Sequence, residues 1–262
     1  SASNLNLLIN DILDLSKIEA GKLDLNLKTI NLQLLIERLV ESSAIRAFDK
    51  GLNVYLDTSD LNCENVKTDP LRLTQILNNL ISNAIKFTDK GYIKVIVSSE
   101  RISEGTHNLK VKVQDTGIGI APSTQGQLFD AFQQASTAIS EKFGGSGLGL
   151  SICKQLCQLM DGDISVSSTL NQGSVFTFNI KVRCNAESIQ VPEKCYENKA
   201  ILVASSNQNI WEVLDKAISL QGGIVSTCSM AELGAHKSKA FDYVFLDYED
   251  DTTNNIGSII EV

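Results

Sequence analysis

Apolar residues recur at Leu5, Leu8, Ile12 and Leu15, the alternating three- and four-residue spacing of a helical-bundle seam, and Ile9 and Leu13 widen the stripe. The pattern predicts a helix over residues 1 to about 20 that needs a partner helix, stopped by Gly21 as a C-terminal cap. A second helix is expected around Leu32, Leu35, Ile36, Leu39 and Val40, leading into a short strand from Leu52 to Leu56. A third runs from Pro70 to Phe87 on an apolar face of Leu73, Ile76, Leu77, Leu80 and Ile81, with Asp69 before Pro70 able to cap it. Alternation then marks two strands, Ile93-Val95-Val97 and Leu109-Val111-Val113, joined by a polar turn around Glu104 to Asn108. A long polar stretch, 121–146, precedes another helix over Leu148 to Met160 and two strands, about Asp163 to Ser167 and Ser174 to Val182. Helices against an antiparallel-rich sheet make a two-layer α/β sandwich.

Residues 184 to about 198 are polar, contain Pro192 and lack periodicity, which reads as a linker. Beyond it KAILVA and FDYVFLD are buried-strand runs flanking a helix from Trp211 to Leu220. They open a parallel α/β domain that looks incomplete at this length. The expected domains are therefore 1–22, 23–183 and 199–262, with 184–198 as the linker.

Composition narrows the classes. With 43% hydrophobic and 21% charged residues the 262-residue chain is ordinary globular protein. A net charge of −8 and a pI near 4.9 argue against nucleic acid as a partner. No apolar run is long enough to span a bilayer, so a membrane is expected only through segments outside this chain, and the localisation expected is cytoplasmic. The six cysteines show no paired C-x-x-C spacing; Cys153 and Cys157, four apart on a helix, read as small buried residues in a reducing compartment. His107 and His236 are isolated and read as surface loop residues.

Three clusters carry chemistry. In NNLISNAIKFT (78–88), Asn79, Asn83 and Lys86 share one helix face, where two asparagines lower helix propensity and so ask for a reason. A neutral amide oxygen suits Mg²⁺ when phosphates supply the negative charge, and Lys86 can neutralise a terminal phosphate. DTGIGI (115–120) ends a strand with a carboxylate followed by Gly117 and Gly119, an acceptor for an exocyclic amine such as adenine N6. FGGSGLGLSI (143–152) opens a helix with glycines whose N–H groups can meet phosphate, although it is neither a Walker A loop nor G-x-G-x-x-G.

Together these segments resemble the sensor histidine kinases of two-component signalling. NNLISNAIKFT is similar to their N box, DTGIGI to the G1 box, LFDAFQQ (128–134) to the F box and GGSGLGLSI to the G2 box. DILDLSKIEAGKL (11–23) resembles the second helix of the dimerisation domain in hybrid kinases. The resemblance covers roughly residues 1–182 and implies the Bergerat (GHKL) ATP-binding fold, with 121–146 as the ATP lid. It implies ATP and Mg²⁺ as cofactors: Asp115 reading adenine, Gly117 and Gly119 shaping its pocket, Asn83 on the metal, Asn79 supporting metal and phosphates, and Lys86 on phosphate. Lys142, Gly145, Ser146, Gly147, Leu148 and Gly149 would line the phosphate side, while Phe129 and Phe132 would pack the lid. Glu141 stands where the lid often carries Arg, and Ser146 where Thr is usual. The resemblance further implies a homodimer through the dimerisation helices, a receiver domain or response regulator downstream, and an acceptor histidine on a helix before Ser1.

The tail resembles a receiver domain, with Asp247 at the phosphoacceptor position but Ser205 and Ser206 where an acidic pair would hold Mg²⁺. It reads as degenerate and truncated. Two other functions compete: a GHKL-type ATPase, which would need a glutamate where Asn79 stands, and a non-catalytic nucleotide-binding dimerisation module.

Overall fold

Gly21 ends the first helical segment as expected. In the computed structural model, which describes residues 12–14, 16–18, 20–131, 147–184, 194–236 and 240–247, the first two of these stretches are helical. Gly21 takes φ +63°, and two N–H groups fold back on the last turn, Gly21 to the Ile18 carbonyl and Lys22 to that of Lys17. That pair of bonds is a Schellman cap, which needs a residue tolerant of the left-handed region. Of the seam, Leu5, Leu8, Ile9 and Leu15 lie outside the described residues; Ile12 and Leu13 are half exposed and Ile18 packs on the core.

Contacts divide the chain into two units, Ser1–Gln190 and Val191–Val262. In the first, a seven-stranded sheet is built from β1 (Lys28–Asn31), β2 (Leu52–Asp60), β3 (Asn65–Thr68), β4 (Gly91–Ser103), β5 (Thr106–Asp115), β6 (Asp163–Thr169) and β7 (Gly173–Cys184). The order is β1-β3-β7-β5-β4-β2, with β6 beside β7, and every pair is antiparallel except β2 with β4. Three helices pack against this sheet and one another: α1 (Leu32–Phe48), α2 (Pro70–Phe87) and α3 (Gly149–Leu159). The expected two-layer sandwich is what forms. The apolar face of α2 is buried throughout, from Leu73 to Ile81, against Val95, Val111, Val113 and their neighbours.

Local chemistry sets the helix that matters most. Asp69 caps α2 by accepting from the Leu71 and Arg72 N–H groups, at 3.0 and 3.1 Å, and Pro70 supplies the first helical position. At its other end the Lys50 ammonium, arriving from the turn after α1, donates to the Ile85, Lys86 and Thr88 carbonyls. A cation on free carbonyls complements the negative end of the helix dipole.

The structure departs from these expectations at four points. The strands β1 and β3, four residues each, carried no alternation long enough to read and form by pairing with each other and with β7. The turn between β4 and β5 is narrower than 104–108: Ser103 pairs with Thr106, leaving Glu104 and Gly105 (φ +67°) as the two-residue loop. His107 is therefore no surface loop residue. It lies in β5 between Arg101 of β4 and Val182 of β7, and only 4% of it is exposed. Burial, with Arg101 nearby, holds its imidazole below the usual range. Cys153 and Cys157 are buried on α3 as expected, the Cys157 thiol pushed up to about 12 by burial and Asp163. Cys63 and Cys184, however, are joined as a disulfide across 121 residues, a pairing no spacing announced.

The second unit is a three-stranded parallel sheet of β8 (Ala200–Ala204), β9 (Ile224–Cys228) and β10 (Tyr243–Leu246), ordered β10-β8-β9, with α4 (Gln208–Leu220) between β8 and β9. The first strand in the centre, flanked by the second and third, is the opening order of a flavodoxin-like doubly wound sheet. His236 ends a 3₁₀ segment, Met230–His236, half-buried near the Phe241 ring.

Candidate functional site

Three parts of the first unit converge: the polar face of α2, the turn after β5 and the start of α3. On α2, Asn83 Nδ2 donates to Asn79 Oδ1 at 3.0 Å. That bond fixes the orientation of both amides and leaves the Asn83 Oδ1 as the acceptor it can present to a cation. Lys86 is half-buried one turn on, its ammonium 4.9 Å from the centre of the Phe87 ring, and burial lowers its pKa.

Asp115 closes β5. The alternation of that strand buries His107, Leu109, Val111, Val113 and Asp115 in turn, so the carboxylate lies on the core-facing side and is 6% exposed. Burial raises its pKa, opposed by N–H groups of Gly117, at 2.8 Å from Oδ1, and Ser174. A short polar acceptor in a closed setting is suited to a single directed hydrogen bond.

Gly117 and Gly119 shape this corner in a way the sequence did not specify. A Cβ on Gly117 would overlap the Phe87 carbonyl at the end of α2, and one on Gly119 would overlap the Thr169 carbonyl after β6. The space a side chain would fill is occupied by protein backbone. Their absent side chains let the turn seat itself against α2, with Ile118 N–H donating to Phe87 O at 3.2 Å. Gly149 acts likewise at the start of α3, where a Cβ would run into the Asn79 side-chain amide. Gly147 takes φ +68° and Leu148 is buried, its carbonyl accepting from Ser151 Oγ.

The structure thus brings together Asn79, Asn83, Lys86, Asp115, Gly117, Gly119, Gly147, Leu148 and Gly149. Lys142, Gly145 and Ser146, with Glu141 and Phe132, lie outside the described residues. Phe129 packs on the core, near the Lys154 ammonium. Sequence reasoning missed Lys50 at the end of α2 and Ser174 beside Asp115, because both act across strands or helices far apart in the chain.

Residues 68–183 match the family described as Histidine kinase-, DNA gyrase B-, and HSP90-like ATPase. The chain is 44% identical over 189 residues to the signal transduction histidine-protein kinase BarA of Escherichia coli K12, covering 72% of this chain and 21% of that protein. To the autoinducer 2 sensor kinase/phosphatase LuxQ of Vibrio vulnificus it is 34% identical over 261 residues, covering 94% and 30%. The chain spans about a fifth to a third of the length of these relatives. Among solved structures, full-length ShkA in complex with AMPPNP superposes with a TM-score of 0.73 at 28% identity, over 88% of this chain and 47% of that one. The histidine kinase AdeS of Acinetobacter baumannii gives 0.54 at 29%, over 68% and 79%. The asparagine helix, the strand-end aspartate and the glycines that seat them are thus parts of one known domain, and this chain carries the GHKL ATPase domain of the sensor histidine kinases.

Proposed function

We propose that this chain binds ATP with Mg²⁺ and transfers the γ-phosphoryl group to a histidine on a dimerisation helix, as the catalytic part of a hybrid sensor histidine kinase. The observation that carries the reading is the Asn79–Asn83 amide pair, held against Gly149 and sharing one corner with buried Asp115. Neutral oxygens suit Mg²⁺ when the ligand brings the negative charge. Asn83 would hold the ion, Asn79 would orient it, and the ion when bound would neutralise charge on the β- and γ-phosphates. Asp115 would accept from the adenine amine, and Lys86, with Lys142, would meet phosphate. Gly145, Ser146, Gly147, Leu148 and Gly149 would follow the phosphates at the start of α3. ShkA, solved in complex with AMPPNP, supports a nucleotide as the ligand of this domain.

Transfer is favoured over hydrolysis because Asn79, where an ATPase needs its glutamate, cannot take a proton from water. His107 is unsuited as acceptor. It is the second residue of the strand that Asp115 ends, eight residues and roughly 27 Å away at strand rise, and in-line transfer requires contact. The acceptor is accordingly supplied by a segment with its own histidine, in a homodimer joined through the seam around Leu5, Leu8, Ile12 and Leu15.

The second unit we read as a receiver-like module without phosphoryl chemistry, whose downstream counterpart is a separate receiver or response regulator. The Asp247 carboxylate accepts from Ser205 Oγ at 2.8 Å, where a functional site would have a second carboxylate and a cation. The test is radiolabelled ATP with this chain and a supplied dimerisation segment containing the acceptor histidine. Acid-labile label on the segment is expected, lost in Asn83→Ala. Label on His107 or His236 instead would overturn the acceptor assignment.

A further inference from the structure

At the opposite end of β5 from Asp115 lies a second cluster of reactive side chains, unrelated to nucleotide. Cys63 stands in the loop before β3, His107 is the second residue of β5, and Cys184 is the last residue of β7. Since β3, β7 and β5 are neighbours in the sheet, the loop before β3 and the strands β5 and β7 each deliver one residue to this point. One ligand atom from each, the two sulfurs and an imidazole nitrogen, lie within 4.8 Å of one another. All three residues are buried, at 0%, 4% and 2% exposure for Cys63, His107 and Cys184.

The disulfide alone leaves one feature unexplained. His107 Nδ1 is shut off from solvent and has no hydrogen-bond partner. Buried polar atoms are nearly always paired, and disulfide sulfur, at best a weak acceptor, does little for an imidazole. Opened, the same two cysteines offer thiolates beside that imidazole. Two thiolates and one imidazole are three of the four ligands of a tetrahedral Zn²⁺ site, the fourth being a water that would enter with the ion. The Cα separation of 6.2 Å between Cys63 and Cys184 accommodates two Zn–S bonds of about 2.3 Å by side-chain rotation, without moving the strands.

We propose that, with Cys63 and Cys184 reduced, their sulfurs and the His107 imidazole bind Zn²⁺, clamping β3, β7 and β5 where the chain leaves the ATP-binding domain. The disulfide and the metal site are alternative states of one cluster. A water-soluble phosphine converts the first into the second: phosphorus is oxidised to phosphine oxide, water supplies the oxygen and two protons, and the S–S bond becomes two thiols. Zn²⁺ then displaces both thiol protons as the two Zn–S bonds form.

The test uses the full chain, oxidised and phosphine-reduced, without oxygen and with excess phosphine present, titrated with Zn²⁺ against a chromophoric chelator and with Co²⁺ as a spectroscopic stand-in. One metal per reduced chain is expected, none per oxidised chain, and Co²⁺ should give thiolate charge transfer with tetrahedral d–d absorption. Cys63→Ser and Cys184→Ser should bind about a hundredfold more weakly or not at all, and His107→Ala measurably more weakly. Cys153→Ser and Cys157→Ser should bind as the parent does, and circular dichroism checks that each variant folds. The oxidised-against-reduced comparison on the unaltered chain stands even if a variant fails to fold. Reduced chain taking up no stoichiometric metal, uptake undiminished in Cys63→Ser or Cys184→Ser, or a disulfide that the phosphine cannot open in the folded protein would each overturn the proposal. None of these outcomes bears on ATP binding at the other end of the strand.

Discussion

Two aspartates stand at the carboxyl ends of strands, Asp115 after β5 in the first unit and Asp247 after β10 in the second. Each occupies the kind of position where α/β folds gather their ligands. Their surroundings differ in what they offer a ligand. Asp115 is 6% exposed, steadied by backbone N–H groups of Gly117 and Ser174, and close to a helix that presents neutral amides and one ammonium. Asp247 is half-buried, and the Ser205 hydroxyl donates to its carboxylate at 2.8 Å. The first arrangement leaves room for a ligand that brings its own charge. In the second, a hydroxyl fills the role that a cation between carboxylates would have. A strand-end carboxylate acquires its function from the loops and helices around it.

The largest effect should separate the two aspartates through the metal amide. Asn83→Ala removes the amide oxygen assigned to Mg²⁺ and should cut phosphoryl transfer to a supplied acceptor segment by about 10³-fold or more, the scale on which charge-neutralising groups act in this chemistry. Asp247→Ala should leave the same rate within about twofold of the parent. Single-turnover transfer from radiolabelled ATP measures both. Loss of transfer in Asp247→Ala would tie the second unit to the reaction and break the contrast.

Asp115→Asn should weaken ATP-analogue binding by about ten- to a hundredfold, the worth of one charge-assisted hydrogen bond, read by calorimetry. Its effect on stability should have the opposite sign. Because burial raises the folded-state pKa of Asp115 above its unfolded value, the folded state binds this proton more tightly. The group then subtracts stability as pH rises through the unfolded pKa toward the folded one, and the penalty is complete above the folded pKa. An amide has no such penalty. The nucleotide-free variant should therefore melt at or above the parent temperature at pH 7, with the difference closing as pH falls into the carboxylate range. A variant that loses both affinity and stability would identify Asp115 as a structural residue.

Most of this corner was legible from the chain. The apolar face of α2, its Asp69 cap and its boundaries follow from period and capping chemistry, and 18 residues of consistent signal leave little to context. The ends of β5 were harder. Leu109, Val111 and Val113 announce the strand, and extending the alternation by two residues each way reaches His107 and Asp115, which share its buried face. A histidine among Glu104, Thr106 and Asn108 looks like a turn, and only pairing with β7 along the whole strand turns it into core. The short strands β1 and β3 and the Cys63–Cys184 pairing depend on partners more than thirty residues away, where local periodicity is silent. The glycines of the two loops were recognised, but their cause was not: at Gly117, Gly119 and Gly149 the missing side chain makes way for protein atoms.

That cause predicts a middle-sized effect. Gly149→Ala puts a Cβ into the Asn79 amide, so either the start of α3 retreats or Asn79 rotates and loses its bond to Asn83. Overpacking of this kind costs about 1–3 kcal/mol. If the strain falls on the amide pair, ATP-analogue affinity in Mg²⁺ should drop several-fold while affinity without metal changes little. Pairing Gly149→Ala with Asn79→Ala should relieve the overlap and recover most of the lost stability, though not the metal dependence. Equal losses with and without Mg²⁺ would place the effect on the phosphate side of the loop rather than on the asparagines.

The smallest expected effect belongs to the second unit. Ser205 is fully buried and directly follows β8 beside Asp247, so Ser205→Ala deletes the hydroxyl donor and leaves the carboxylate to partial hydration. Because Asp247 is half-buried and water can replace the donor, the loss should be about 1 kcal/mol rather than the larger cost of a sealed charge. In a unit of this size that lowers the melting midpoint by about 4–8 °C, visible to calorimetry as a shift of the transition assigned to residues 191–262. The first unit should be indifferent, with unchanged ATP-analogue affinity and transfer rate. Ser205→Asp sharpens the point further. A second carboxylate against Asp247 should destabilise the unit through like-charge repulsion, and Mg²⁺ should reverse that loss only if the strand-end geometry of a working phosphoacceptor site survives. Destabilisation that Mg²⁺ does not relieve would mean that the second unit differs from the first in backbone geometry as well as in side chains.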